Sequence, residues 1–444
     1  MSRRACDTLI RADRIVTQND ERTIIEDGGI AIAAGRIAAV GPWMEIDAAW
    51  QGETVMNLGR SMVLPGLVNA HTHASMTLMR GLADDLPLME WITQHIFPVE
   101  QKLTPELVRL GATLACCEMA RTGTTAFYDM YLMEQAVAEA ADATGMRAVV
   151  GEVIFSFPTP AYANLDAACD VVRAMHDTYR NNDRIRTAVM PHAVYTTTPE
   201  LLTRTAKLAE ELDIPLHIHL AETTTETAQC MEKFGKRPVA YLDSLGLLSP
   251  RTLAAHCVDL TDDEIRRLAE TGTRVAHNPE SNMKLASGIA RVRDMADAGV
   301  VLGLGTDGAC SNNNLDMFAE MSTCALLQKV ATMDPTVAPA QQVLDMATRG
   351  GAACLNWPGI GSIEPGNLAD ITALDLDQPG LMPMYNPASH AVYAASGGDV
   401  RMTMVGGEVV YRDGAFPKVD YPALLAEVRS AAAWVRKQFE GNGK

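Results

Sequence analysis

The sequence of 444 residues predicts an α/β protein, a (β/α)8 TIM barrel with a small β-sandwich domain built from both chain ends. Three observations lead to this class. Through the middle of the chain, short apolar runs alternate with long amphipathic stretches, a pattern of parallel strands joined by right-handed crossovers. Both ends are written instead as short alternating segments broken by turn residues. The length suits a barrel of about 250 residues with an accessory domain. Residues 1–62 then form the N-terminal part of the sandwich, 63–360 the barrel, and 361–444 the rest of the sandwich with a terminal helix.

Taken in order, Ile24-Ile25 before Asp27-Gly28-Gly29 and Ile30-Ala31-Ile32 before Ala34-Gly35 read as β-hairpins. A strand over 62–68 follows, bent toward the barrel mouth by Pro65-Gly66. Helices are predicted over 104–122 and 198–212, with Thr104 and Thr198 as N-caps and Pro105 and Pro199 at the first helical position. Strands are predicted over 147–153, 186–190, 216–220, 252–255, 274–276 and 300–304, and about eight strand–helix units fit. After Asn356-Trp357-Pro358-Gly359 the hairpin style returns, with strands over 368–376 and 400–411 and a last helix over 421–439.

Composition narrows the function. With 37 basic and 55 acidic residues the net charge is −18, and no stretch gathers Lys and Arg, which argues against nucleic acid as partner. A small neutral or cationic substrate fits better. The nine cysteines contain no C-x-x-C pair, so reduced thiols in a cytoplasmic protein are expected. No apolar run reaches about 18 residues and no secretory segment opens the chain, so no membrane partner is expected. Met-rich apolar helices leave room for a homo-oligomer.

The chemistry lies at strand ends. His71 and His73 share one side of a strand and can ligate one ion. His217 and His219 form a second H-x-H; only His219 is followed three residues on by a carboxylate, Glu222, so His219 is the expected ligand, Glu222 a proton carrier, and His217 a hydrogen-bonded core histidine. His256 and Asp307 close two further strands. Three histidines and a carboxylate suit a divalent metal that assists hydrolysis, leaving Glu222 and His256 for acid–base work. His192 also ends a strand and reads equally as a ligand contact or a loop histidine. Glu100, beside Trp91, reads as a carboxylate for vicinal hydroxyls next to a stacked base, or as a solvated acid. Ser281 and Asn282 are expected near the mouth. Gly303 to Gly308 match G-x-G-x-x-G, yet the motif closes the last barrel strand instead of opening a βαβ unit, which argues against a dinucleotide.

Together Pro65-Gly66-Leu67-Val68-Asn69-Ala70-His71-Thr72-His73, His219-Leu220-Ala221-Glu222, Ala255-His256-Cys257, Val275-Ala276-His277-Asn278-Pro279, Gly305-Thr306-Asp307 and Gly361-Ser362-Ile363-Glu364-Pro365-Gly366 resemble the amidohydrolase superfamily, in its branch that deaminates purines and related heterocycles. The resemblance implies one Zn²⁺ on His71, His73, His219 and Asp307, with Fe²⁺ and Mn²⁺ also compatible with those ligands. It implies catalytic roles for Glu222, His256 and Asp307, ribose contact by Glu100, and substrate contact by His192. The expected reaction is hydrolytic deamination of the adenine ring of 5′-methylthioadenosine and related nucleosides, releasing ammonia. Residues 151–160 offer Phe155, Phe157 and Pro158 but no arginine, and Glu152 is expected to repel a carboxylate, so S-adenosylhomocysteine is expected to be less favoured. The alternatives are a guanine, cytosine or s-triazine hydrolase on the same scaffold, or a barrel that has lost its metal.

Overall fold

Eight parallel strands follow one another in space in the order they have along the chain. The computed structural model describes residues 3–442; the two residues at each end, assigned above to the sandwich, lie outside them. Leu67–Thr72 pairs with Thr124–Asp129, which pairs with Arg147–Val150, which pairs with Ile185–Thr187, all parallel. The third and fourth strands continue after a break as Val153–Ile154 and Met190–Pro191. Bridges from Val189 to Leu216 and from Ala193 to His219 carry the order on to Leu216–Leu220, then Thr252–His256, Arg274–His277 and Leu302–Leu304. Beyond the last strand the Asp307 N–H donates to the His71 carbonyl at 3.0 Å, which returns the order to the first strand.

Local chemistry starts the helices where the sequence places them. Pro105–Arg121 begins after Thr104, whose hydroxyl accepts from the Leu107 N–H, and Pro199–Leu212 begins after Thr198, which accepts from Leu201. The last helix, Tyr421–Asn442, runs slightly past its predicted end.

The two chain ends share one eight-stranded sheet. Its order is Glu408–Arg412, Val400–Val405, Ile371–Asp375, Ser61–Pro65, Arg4–Val16, Ile24–Ala33 and Arg36–Pro42, with Trp50–Asn57 also beside Arg4–Val16. Two readings of this region are corrected. The single strand over 62–68 is two: Ser61–Pro65 lies in the terminal sheet, antiparallel to Ile371–Asp375, and only Leu67–Thr72 enters the parallel set. Gly66 separates them because a Cβ there would fall 2.1 Å from the Thr125 hydroxyl. Asp27-Gly28 is no hairpin turn; Ile24–Ala33 runs through it, with Asp27 at φ 40°.

Arg147 ties the two parts together at the end of the strands opposite the histidines. Its guanidinium donates twice to Asp370, at 2.8 and 3.0 Å, and both side chains are at most 2% exposed. Asp370 also accepts from the Gly406 N–H. Removing one partner of such a pair strands a buried charge. Arg147→Met should therefore lower unfolding stability by about 3–5 kcal/mol in urea titration; a loss below about 1 kcal/mol would mean that water relieves Asp370.

Candidate metal centre and active site

The C-terminal ends of the parallel strands bring the histidines together. His71 lies in its strand and His73 just beyond it; His219 lies in Leu216–Leu220, His256 ends Thr252–His256, and Asp307 follows Leu302–Leu304. Potential ligand atoms of His71, His73 and His219 lie within 4.8 Å of one another, as do those of His71, His256 and Asp307. Asp307 Oδ1 is 3.1 Å from His73 Nε2 and 3.4 Å from His71 Nε2, and His219 Nε2 is 3.4 Å from His73 Nε2. A tetrahedron of bonds about 2.1 Å long has edges of about 3.4 Å, so the spacings fit one ion held between these groups.

Two further features fit a divalent metal. His73 Nδ1–H donates to the Met130 carbonyl at 2.5 Å and His219 Nδ1–H to the His192 carbonyl at 2.7 Å. Each bond leaves Nε2 as the free lone pair, the outer-shell arrangement of ligating histidines. His71 is fully buried; its Nε2 lies 3.4 Å from Asp307 Oδ1, and among the described residues neither ring nitrogen makes a regular hydrogen bond. A polar ring so placed calls for another partner, which a cation at the centre supplies.

Asp307 is fixed from behind: its Oδ2 accepts from Ser281 at 2.6 Å and Ser311 at 2.8 Å, leaving Oδ1 toward the imidazoles. Its backbone lies at φ 60°, and His256 is at 72°, so both residues hold left-handed conformations that surrounding contacts must maintain. Gly305 permits the approach, since a Cβ there would meet the His71 backbone at 2.8 Å and Asn278 at 2.6 Å. The glycines of the G-x-G-x-x-G match are thus packing glycines.

A cleft of about 580 Å³, including its open mouth, lies over the cluster and is lined by His73, Trp91, Glu100, Phe155, His192, Tyr195, His219, Glu222, His256 and Asp307 among others. Every residue expected to hold the ion, move protons or touch substrate, except the fully buried His71, therefore borders one space. Burial pushes the Glu222 carboxyl up, with His256 pulling it back, and pushes Glu100 up to about 7 against the pull of Tyr131. Burial drives His192 down to about 3, helped by the neighbouring histidines, so its ring is neutral, with Nδ1 2.8 Å from the Thr196 hydroxyl. His256 Nδ1 meets Asn282 Oδ1 at 2.9 Å, which aims its other nitrogen away from that partner.

Several expectations change. Glu152 does not face the cleft; its carboxylate accepts from the Met133 and Glu134 N–H groups, both at 3.0 Å, and so cannot repel a ligand there. Phe155 lines the cleft, while Phe157 stacks behind it with ring centroids 4.7 Å apart. His217 is a core residue as expected, but its ring nitrogens have no protein partner and it packs against Tyr128 instead. Ser281 and Asn282 hold Asp307 and His256 and are absent from the cleft lining. Ser311, Tyr131, Tyr195 and the Met130 carbonyl were not found from sequence, because nothing in their local motifs marks them.

A profile of the amidohydrolase family matches residues 62–410, and the chain belongs to that family. Within it, the chain is 62% identical over 432 residues to a 5-methylthioadenosine/S-adenosylhomocysteine deaminase of Nitratidesulfovibrio vulgaris strain Miyazaki F, covering 97% of this chain and 98% of the relative. It is 45% identical to a 5′-deoxyadenosine deaminase of Methanothermobacter thermautotrophicus, covering 92% and 95% of the two chains. Among solved structures it resembles a zinc-bound adenosine deaminase from Xanthomonas campestris, with TM-score 0.96, 40% identity, and coverage of 98% of this chain and 100% of the other.

The geometry makes metal retention the direct test of the cluster. His71→Ala and Asp307→Asn should each leave less than about a tenth of the wild-type metal after dialysis, measured by elemental analysis. A full complement in either variant would remove that residue from the ligand set.

Proposed function

We propose that this protein hydrolytically deaminates the adenine ring of 5′-methylthioadenosine and related adenosine nucleosides, releasing ammonia and a hypoxanthine nucleoside. The observation that carries the reading is the meeting of the His71, His73, His219 and Asp307 cluster with Glu222 and Glu100 at one cleft. The names of the relatives agree with it. Zinc is the favoured ion, by the donor set and by the zinc-bound relative. We read the parallel strands as a closed (β/α)8 barrel over residues 67–360 and the terminal sheet, Ser61–Pro65 included, as a small sandwich built from both chain ends. Nine buried free thiols suit a cytoplasmic setting.

In this reading His71, His73, His219 and Asp307 hold the ion, which supplies Lewis-acid activation of water near neutral pH. Asp307 would take the proton of the water that attacks C6, with its side chain held in place by the Ser281 and Ser311 hydroxyls on Oδ2. Glu222 delivers a proton to N1, a task suited to a carboxyl whose proton is held more tightly than usual by burial. His256 hydrogen-bonds the charge that develops at the tetrahedral carbon. Glu100 accepts the ribose hydroxyls, and Trp91 and His192 border the nucleoside.

The lining supports an apolar 5′ group. Leu88, Trp91, Ile92, Phe97 and Phe155 border the cleft, and its lining contains no Lys or Arg to pair with the carboxylate of S-adenosylhomocysteine. We therefore rank 5′-methylthioadenosine above that substrate.

Glu222→Gln should keep its metal and lose about 10²-fold or more in kcat on 5′-methylthioadenosine, read as ammonia release; unimpaired turnover would sink the proton-carrier role. Glu100 accepts from two vicinal hydroxyls most strongly as the carboxylate, and burial pushes its carboxyl up to about 7. Nucleoside kcat/KM should accordingly rise with pH between about 6 and 8, and Glu100→Gln should lose that rise along with affinity. An unchanged profile in Glu100→Gln would dissociate Glu100 from ribose.

A further inference from the structure

One wall of the cleft is held from outside by the last helix of the chain. Residues 88–100 form a continuous helical run, Leu88–Glu90, Trp91–Ile96 and Phe97–Glu100, whose middle section is a π-turn. There the Phe97 N–H donates to the Ile92 carbonyl, five residues back. The cause is visible in the sequence: Pro98 has no N–H to give, and its ring would collide with the carbonyl four residues earlier in a regular α-helix. Widening the turn relieves both problems.

The wider turn also decides what faces the ligand. Along a regular α-helix, residues four apart drift by roughly 40° around the axis. An extra residue in the turn offsets that drift, and Ile92, Ile96 and Glu100 all border the cleft with Trp91 and Phe97. The opposite side of the same turn carries His95, whose ring centroid is 5.5 Å from that of Phe439 in Tyr421–Asn442. Val435 is 1% exposed in the same helix, and Trp434 and Phe439 pack against the core to which Trp91, Ile92 and Ile96 belong. A wide turn places more of its support outside its own hydrogen bonds than a regular turn does, because its geometry is less favourable.

We propose that Tyr421–Asn442, through Phe439 on His95, positions the 88–100 wall and so sets nucleoside affinity without entering the cleft. Phe439 and His95 are positioning residues; neither lines the ligand space. The inference rests on the reading of Glu100 and Trp91 as nucleoside contacts.

The test compares Phe439→Ala, Phe439→Leu and His95→Ala with the metal-loaded wild type on 5′-methylthioadenosine, with Leu424→Ala as a control. Leu424 is buried near the start of the same helix. Phe439→Ala and His95→Ala should each raise KM by about fivefold or more with kcat within about twofold. They should keep a full complement of metal, and amides of 88–100 should exchange faster with deuterium. Phe439→Leu should recover most of the affinity, and Leu424→Ala should lower Tm without raising KM. If Phe439→Ala does not fold, His95→Ala reads the same contact from its other side. An unchanged KM in the folded variants, or KM rising equally in Leu424→Ala, would overturn the positioning role. A wild type that releases no ammonia from any adenosine nucleoside would instead overturn the functional reading, and the exchange of 88–100 would still report on the brace.

Discussion

The carboxylate of Asp307 is the point on which the site depends. One oxygen faces His71 and His73, the other is held by Ser281 and Ser311, and the residue's own N–H donates to the His71 carbonyl. A buried carboxylate is expensive unless it is paired and hydrogen-bonded. Here both requirements are met by His71 and His73 at the end of the first strand, Ser281 in the short helix Pro279–Lys284 and Ser311 after the last strand, so satisfying one charge also aligns distant parts of the chain. Burial alone would raise the Asp307 carboxyl, yet the two histidines hold it well below the usual range, which keeps it a carboxylate as a ligand must be.

The arrangement around it separates rigid from adjustable parts. His73 and His219 are oriented by backbone carbonyls, which cannot change rotamer, and His256 by an asparagine that is itself buried. The clustered histidines and Asp307 therefore sit on strand ends and their immediate continuations. The opposite wall is carried by a short, irregular helical run over 88–100, supported by a helix from the far end of the sequence. Fixed chemistry beside a separately supported recognition wall lets substrate preference change without disturbing the ligands.

Much of this was legible in the sequence, for identifiable reasons. The strand Leu216–Leu220 was placed to the residue, because apolar residues alternating with histidine have a period that strands alone satisfy. Thr104-Pro105 and Thr198-Pro199 gave the helix starts because capping is local. The ligand cluster was readable because its members end strands of one parallel set. What could not be read depends on pairing between distant segments. Ser61–Pro65 continues the apolar text of Leu67–Thr72, and only its partner Ile371–Asp375 reveals that it belongs elsewhere. Glu152 looked like a cleft residue by position, but two N–H groups from the neighbouring loop and helix hold its carboxylate elsewhere. Ser311 is a loop serine like many others until Asp307 is folded against it.

The strand Ser61–Pro65 has a consequence for how the protein is made. It runs straight into the strand that carries His71, and while its neighbour Arg4–Val16 is already made, its other neighbour in the sheet is Ile371–Asp375, roughly 300 residues later in synthesis, and contacts so distant in sequence form slowly. At ordinary ribosomal speeds of about 5–20 residues per second, the segment His71-Thr72-His73 waits several tens of seconds or less for that partner. During that interval the H-x-H pair is attached to a sheet edge that is still open, and His219, His256 and Asp307 emerge before the edge is covered. Completion of the cluster of His71, His73, His219 and Asp307 and closure of the terminal sheet thus both fall late in the life of the nascent chain, after its N-terminal half has been made.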